Sequence, residues 1–544
     1  MKVGTAIAKI LKMEGIEFIV GFPMSPILDP AAEEGIRFIK ARTERVAVNM
    51  ADSIGRVSGG NQIGVTVMQS NQGIENAYSG IAQSYDDSTP ILVLPMGPMK
   101  RRVSVAPSFN ATENLKGITK WVDSVNYPER VPELMRRAFT YLRSGRPGPV
   151  MVEIPRDIAD EEFDDAMFQY HPIKRLRSAG DPADVRDVAK ALIAAKNPII
   201  RAGQGVLFAR ASDELCELAE LLGIPVFTTM NAKSGFPENH PLSLGAGGRT
   251  RPKMVMHFLS RADLVFAIGS SCTKESFTTI IPSDKRVIQS TIDERDLNKD
   301  YLLEHAIIGD AKLVLQQLIT EVKEQLGTSV KKDASSVTKE IKAIKEEWIK
   351  EWMPKLTSDE VPINPYRLIW DLMHTLDRDK TIITHDAGNV RDQIVPFYES
   401  VVPGTYIGWG KSTTLGSSLG FAMGAKLARP DMTAVGISGD AGFGMVGMDF
   451  ETAVRENIPI IQIVANNYRL GGYSKHNPIA SERYNLNVTS GNYAKVAEGL
   501  GGHGEQVTQP EEIIPAIQRA KKAVDSGQAA LIEVLTKEEP VFST

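Results

Sequence analysis

Residues 432–467 read MTAVGISGDAGFGMVGMDFETAVRENIPIIQIVANN, and this stretch decides the fold. Two β-branched apolar runs, Met432 to Ser438 and Ile458 to Ala465, flank a segment of helical period. That is a βαβ unit. Its crossover is almost always right-handed, and ligands bind in the crevice at the carboxyl ends of such strands. Asp440 and Asn467 stand just past the two strand ends, so their side chains are expected to meet there. A carboxylate and an amide oxygen are hard donors that suit Mg2+ or Ca2+ better than zinc. Gly439, Gly442 and Gly444 let the backbone approach a phosphate at a helix start. Taken singly, GD and NN are better read as ordinary turn residues of a doubly wound sheet.

The whole string from Gly439-Asp440-Ala441-Gly442-Phe443 through Asn466-Asn467 is far more specific. It resembles the GDG(x)nNN signature of enzymes dependent on thiamine diphosphate, and the resemblance runs over nearly the whole chain. It is closest to the acetolactate synthase-like group, with acetohydroxyacid synthase, pyruvate oxidase, benzoylformate decarboxylase and the 2-hydroxyacyl-CoA lyases. The resemblance implies a metal, Mg2+, held by Asp440, Asn467 and the main-chain carbonyl of Arg469. It implies cofactor contacts at Gly439, Asp440, Ala441, Gly442 and Asn467. Ala441 stands where Gly is usual, and its methyl group points away from the backbone donors.

At 544 residues the chain is expected to form roughly two to four domains. Apolar content of 42% and charged content of 24% are those of a soluble globular protein. A formal charge of -5 and the lack of a basic stripe argue against a nucleic-acid partner. Cys216 and Cys272 lie in separate helix and strand patterns with no metal-ligand spacing and read as small core residues, as expected in a reducing cytoplasm. The start, MKVGTAIAKILKMEG, has the period of an amphipathic helix and no signal-peptide core. No run approaches the length of a membrane span.

Strand and helix patterns alternate from the beginning, which predicts α/β architecture with parallel sheets. The first block has strands at Ile16 to Val20, Ile36 to Lys40, Ile63 to Met68, Ile91 to Pro95 and Val150 to Ile154, and a polar stretch from Arg156 to Pro182 closes it. The second runs from Asn197-Pro198 through Ile224 to Phe227 and Leu264 to Gly269. Val322 to Trp352 is Lys/Glu-rich and reads as a solvated linker helix. The third carries strands at Ile382 to His385, Thr433 to Ser438, Pro459 to Val464 and Ala530 to Leu535. The expected domains are 1–165, 185–325 and 360–544. The resemblance identifies them as pyrimidine-binding, central and diphosphate-binding, three doubly wound parallel-sheet domains. It also implies an active site between the first domain of one subunit and the third of another, hence a homodimer or homotetramer.

Glu44 opens the helical run Val46 to Val57. A glutamate there is commonly just favoured by the helix dipole. The resemblance implies instead the one essential carboxylate, which hydrogen-bonds the cofactor's pyrimidine ring and tunes its own general-base chemistry. In WGKSTTLGSSLGFAMGA, from Trp409 to Ala425, it implies Leu415 as the apolar wedge beneath the cofactor and Thr413 as a main-chain acceptor, where the plain alternative is a core leucine. Gly388 and Asn389, in Asp386-Ala387-Gly388-Asn389, resemble a diphosphate-contacting loop and read nearly as well as a glycine turn.

The substrate side departs from the familiar patterns. Pyruvate decarboxylase and benzoylformate decarboxylase carry active-site histidines in the first domain, whereas the first histidine here is His171. Gln69 stands where benzoylformate decarboxylase has one of them, and Ser25 matches its active-site serine. Asn71-Gln72-Gly73 replaces the family's GPG turn. Acetohydroxyacid synthase is matched no better: its Phe-Gln-Glu reads Phe109-Asn110-Ala111, its lysine falls at Ser124 and its tryptophan at His476. Ser25, Gln69, Tyr473 and His476 are the candidates to orient substrate, and each also reads as a solvated loop residue. The expected function is a carboligase acting on a 2-oxo acid and a carbonyl acceptor. The alternatives are a 2-hydroxyacyl-CoA lyase or oxalyl-CoA decarboxylase, a simple 2-oxo acid decarboxylase, and a non-catalytic paralogue. Gly203-Gln204-Gly205 and Gly269-Ser270-Ser271 leave FAD, a CoA or ADP moiety, or no ligand open for the central domain.

Overall fold

The computed structural model describes the chain apart from residues 104, 328–330, 413 and 472, and apart from the side chains of 473 and 474. Three six-stranded sheets follow one another along the chain. The first holds β1 (Phe18–Gly21), β2 (Arg37–Lys40), β3 (Gly64–Met68), β4 (Ile91–Gly97), β5 (Trp121–Ser124) and β6 (Val150–Pro155). The second holds β7 (Pro198–Ala202), β8 (Val226–Thr229), β9 (Ser243–Gly247), β10 (Leu264–Ile268), β11 (Arg286–Thr291) and β12 (His305–Ile308). The third holds β13 (Thr381–His385), β14 (Tyr406–Ile407), β15 (Thr433–Gly439), β16 (Ile461–Asn466), β17 (His503–Val507) and β18 (Ala530–Leu535). Strands such as β3 and β10 are buried at every residue, as parallel strands covered on both faces must be.

Strand order is β2-β1-β3-β4-β6-β5 in the first sheet and β14-β13-β15-β16-β18-β17 in the third, the same permutation. The second sheet runs β12-β11-β10-β7-β8-β9, the dinucleotide-fold order. The orders reverse at β1/β3, β7/β10 and β13/β15, the first and third sheets turning back again at their β5 and β17 edges, and such switch points leave a crevice at the strand ends. Each predicted strand is present to within a few residues.

Two expectations need correction. The Lys/Glu-rich stretch is not one solvated helix. Val322 is buried near the end of the helix Ala311–Leu326, and a separate helix, Ser335–Leu356, carries Trp348 at 3% exposure, stacked on Phe397 at 4.8 Å. A tryptophan among charges was the missed sign of packing. Cys272 lies past the end of β10, in a left-handed conformation (φ +51), rather than within the strand.

The apolar core crosses domain boundaries. Val46 and Met50, on the helix Glu44–Val57, share a cluster with Leu419, Phe421 and Met423 on the helix Ser417–Ala428. The two helices touch through glycine: a Cβ on Gly420 would meet Asn49 Cβ at 2.6 Å, and one on Gly424 would meet the Met50 carbonyl oxygen at 2.2 Å. No helix among the described residues is long and apolar enough to cross a membrane.

Candidate active site

The third sheet brings its candidates together at the β13/β15 switch point. Gly439 at the end of β15 pairs with Ala465 of β16, so Asp440 and Asn467 leave adjacent strands side by side. Both line one pocket of about 330 Å³ with Gly388, Asn389, Leu415 and Arg469, and Gly439, Ala441 and Gly442 belong to the same wall. Asp440 is buried, and burial pushes its carboxyl above the usual range against the pull of a hydrogen bond from the Thr489 hydroxyl. The Asn467 side-chain oxygen accepts from the Arg469 amide at 3.0 Å, closing the loop after β16 on itself. Asn466 serves structure instead: its side-chain nitrogen donates to the fully buried Glu533 at 2.7 Å.

The donor set here is one carboxylate, one amide and main-chain oxygen. No group of three or more His, Cys, Asp or Glu able to hold a metal occurs among the described residues. Such a hard, singly charged set fits Mg2+ beside a diphosphate better than a metal caged by protein alone. The wall also fits a bound phosphate: Gly388 is left-handed (φ +87) with open space where a Cβ would point. Gly471 closes over Asn389, whose amide nitrogen a Cβ there would meet at 2.3 Å.

Leu415 lines this pocket and packs on the shared apolar cluster. Thr413 lies outside the described residues, so its expected role has no structural counterpart here. His476 is exposed, on the short helix Tyr473–His476, and is not in the lining of this pocket. The side chain of Tyr473 lies outside the described residues.

Glu44, Ser25 and Gln69 follow β2, β1 and β3, three adjacent strands of the first sheet. Thr43 caps the helix that Glu44 opens, accepting from the Val46 amide at 3.4 Å. Glu44 is 6% exposed, and its carboxylate accepts from Asn76 at 3.3 Å. A Cβ on Gly73 would lie 3.3 Å from the Glu44 carboxylate and 3.1 Å from Gln69 Cγ, so the glycine keeps this recess open. The Ser25 hydroxyl oxygen is buried with no hydrogen-bond partner among the described residues. A buried carboxylate with one side-chain donor has further lone pairs with which to accept from a ring N–H.

Three residues of this machinery escaped the sequence reading. Asn76 sits on a helix face with no motif around it. Asp449 is fully buried and accepts from the Arg42 amide at 2.7 Å and the Thr43 hydroxyl at 2.8 Å, tying the Glu44 turn to the third domain. It lies within the motif string, where a charge flanked by apolar residues was the available signal. Asp386, fully buried, accepts from the Ala387 amide at 2.7 Å and the Gly416 amide at 2.8 Å.

The central sheet forms a second cleft at the β7/β10 switch point. Gly203, Gln204 and Gly205 meet Gly269, Ser270 and Ser271 there: the Gly205 amide donates to the Gly269 carbonyl at 2.9 Å, and a Cβ on Gly203 would lie 2.3 Å from that oxygen. Their glycine character thus serves close packing of the two turns. Arg201 also lines the cleft. At 2% exposure it donates only to the Thr279 carbonyl and has no carboxylate partner among the described residues.

Comparison with known proteins matches three family descriptions in sequence. "Thiamine pyrophosphate enzyme, N-terminal TPP binding domain" covers residues 1–123, "central domain" covers 185–318, and "C-terminal TPP binding domain" covers 386–534. A probable acetolactate synthase large subunit of Methanocaldococcus jannaschii is 31% identical, over 98% of this chain and 92% of that protein. The acetolactate synthase large subunit of Haemophilus influenzae is 27% identical over 94% and 91%. The isozyme 3 large subunit of Escherichia coli is 26% identical over 96% and 92%.

Proposed function

We propose that this chain, which belongs to the thiamine pyrophosphate enzyme family, is a carboligase that joins a 2-oxo acid to a second carbonyl compound. The observation that carries the reading is the make-up of the first sheet's strand ends, which hold Glu44, Ser25 and Gln69 in a chain with no histidine before His171. Releasing a free aldehyde requires a proton donor at the reacting carbon, whereas capturing a second carbonyl needs only an open polar pocket. The relatives' names as acetolactate synthases support the same substrate class.

Bound thiamine diphosphate supplies the electron sink for carbanion chemistry. The chain's own residues bind, orient and move the proton. Glu44 would hold a proton between its buried carboxylate and the cofactor's ring nitrogen. Asp440, Asn467 and the Arg469 carbonyl would hold Mg2+ against the diphosphate, with Gly388 and Asn389 alongside. Leu415 would support the ring from below, and Ser25, Gln69, Tyr473 and His476 would orient the acceptor. Because the Asp440 pocket takes no lining from the first sheet among the described residues, each centre would draw Glu44 from a second copy. The minimum working unit is then a homodimer.

The central cleft favours a nucleotide, FAD or the ADP end of a CoA thioester, because the buried Arg201, without a carboxylate partner among the described residues, suits an anionic ligand. A CoA ligand would turn the substrate toward an acyl-CoA. A visible spectrum of the purified protein separates flavin from CoA. The main test incubates the enzyme with a 2-oxo acid panel and an acceptor aldehyde or oxo acid. The expected product is a 2-hydroxy ketone or acetohydroxy acid, and dominance of simple aldehyde at saturating acceptor would refute the carboligase.

A further inference from the structure

Between β14 and the helix Ser417–Ala428 the chain passes through Gly408-Trp409-Gly410-Lys411 on its way to Leu415 and the cofactor pocket. This loop belongs to the third domain, yet side chains of the first domain hold its backbone. The Arg56 guanidinium, in the last turn of the helix Glu44–Val57, donates to the Gly408 carbonyl at 2.9 Å. Asp87, which ends the helix Gln72–Asp86, accepts from the Gly410 amide at 3.2 Å and from the Lys411 amide at 3.3 Å. Arg56 joins these holds. It donates to Asp87 at 3.1 Å and pairs with Asp52 one turn back on its own helix. Its guanidinium also lies 5.2 Å from the centre of the Phe421 ring, so it touches the chain on both sides of Leu415.

All three charges are buried, Asp52 and Asp87 at 1% exposure and Arg56 at 8%. Taking such charges out of water is costly, and apolar groups of similar volume often stabilise a fold as well. Stability alone is a poor reason for this network. Its charge balance supplies a better one: one guanidinium faces two carboxylates, and the negative charge left over is met by the Gly410 and Lys411 amides. The loop must therefore present both N–H groups to Asp87 at once. Its other face meets the central domain, where a Cβ on Gly408 would lie 2.2 Å from the Met230 carbonyl oxygen. Beyond Leu415, Asp386 takes over the Gly416 amide at 2.8 Å.

We propose that Arg56 and Asp87 are positioning residues: they fix the loop Gly408–Lys411, and through it the Leu415–Gly416 turn on which the cofactor rests. The inference depends on the cofactor site proposed above. Neither residue lines that pocket, so each acts through the loop.

The test uses three variants of the full-length protein. R56K keeps the charge, but a single ammonium lacks the fork that reaches Gly408, Asp52 and Asp87 together. D52N/R56M/D87N removes every charge of the network, so no carboxylate is left buried without a cation. L192A opens a cavity in the core behind the helix Pro182–Ala194 and serves as the control for stability loss alone. Three quantities are measured: the melting temperature, calorimetric binding of thiamine diphosphate with Mg2+, and hydrogen exchange of the peptide carrying Gly410 and Lys411 in ligand-free protein. R56K should speed that exchange and weaken cofactor binding about tenfold, the size usual for coupled neighbours. The neutral triple variant should melt near wild type and still bind the cofactor about tenfold more weakly. L192A should melt earlier and leave exchange and binding as they are.

Recovery of cofactor affinity together with melting in the triple variant would overturn the proposal, because the network would then serve stability only. So would an L192A protein that loses as much cofactor affinity as R56K. Should the triple variant fail to fold, the comparison of R56K with L192A decides. Unchanged exchange in R56K would refute the hold on the loop, and faster exchange without weaker cofactor binding would refute the positioning role. If the wild-type protein binds no thiamine diphosphate, the cofactor reading fails, while exchange still reports whether Arg56 holds the loop.

Discussion

At the scale of single residues, the site is defined by what each buried polar group has to face. The Asp440 carboxylate accepts from the Thr489 hydroxyl and forms no ion pair among the described residues, which suits it to a metal counter-charge. Asp440→Ala should abolish Mg2+-dependent retention of thiamine diphosphate and leave the fold intact. Tight metal-dependent binding by that variant in calorimetry would remove Asp440 from the site. Glu44→Gln keeps shape and the Asn76 contact but loses the charge. It should retain the cofactor and lose roughly 10²- to 10⁴-fold in turnover, the usual worth of a proton-transfer group; near wild-type turnover by a cofactor-saturated variant would exclude the role. His385 is fully buried, its Nε2 has no hydrogen-bond partner among the described residues, and burial pushes its pKa down to about 3. The unfolded chain therefore binds a proton that the folded one refuses. Stability is full above about pH 6.5 and falls toward pH 3, with a slope approaching about 1.4 kcal/mol per pH unit. Melting curves of wild type and His385→Gln should diverge on acidification, and parallel curves would rule this histidine out as the cause.

At the scale of elements, the seam between the helices Glu44–Val57 and Ser417–Ala428 packs the first sheet's helix on the third sheet's. Gly424 is where it is closest. A Cβ 2.2 Å from a backbone oxygen cannot be absorbed by side-chain motion, so Gly424→Ala must separate the helices. A loss of about 1–3 kcal/mol is expected, seen as a drop of several degrees in melting temperature. Gly499→Ala, with open space and a helical setting, should not destabilise; equal effects would mean the seam is not tight. The elements that escaped the sequence reading were weak in the same way. The edge strands β5, β9, β12, β14 and β17 are short, half-exposed or glycine-bearing, and β11 opens on an exposed arginine. Neighbouring strands, not local pattern, hold such segments in place.

At the scale of the whole molecule, the candidate centre is divided. Glu44, Ser25 and Gln69 end one sheet, and Asp440, Asn467 and Leu415 line a pocket at another. Cofactor binding should therefore follow the dimer: sedimentation and calorimetry over a dilution series should show affinity falling as dimer dissociates. A monomer that binds thiamine diphosphate as tightly as the dimer would sink the shared-site reading. The sequence by itself determined the α/β class, the three blocks and the meeting of Asp440 with Asn467 at adjacent strand ends, because apolar periodicity and residues at strand ends are local properties of the chain. It also carried Glu44, through its place after β2. Only the tertiary structure showed that Asn76 donates to Glu44, that Asp449 holds the Arg42–Thr43 turn, that Asp386 holds the Gly416 amide, and that Val322 and Trp348 sit in separate helices. Their partners lie far away in sequence, and a buried charge declares its purpose only when the group facing it is known.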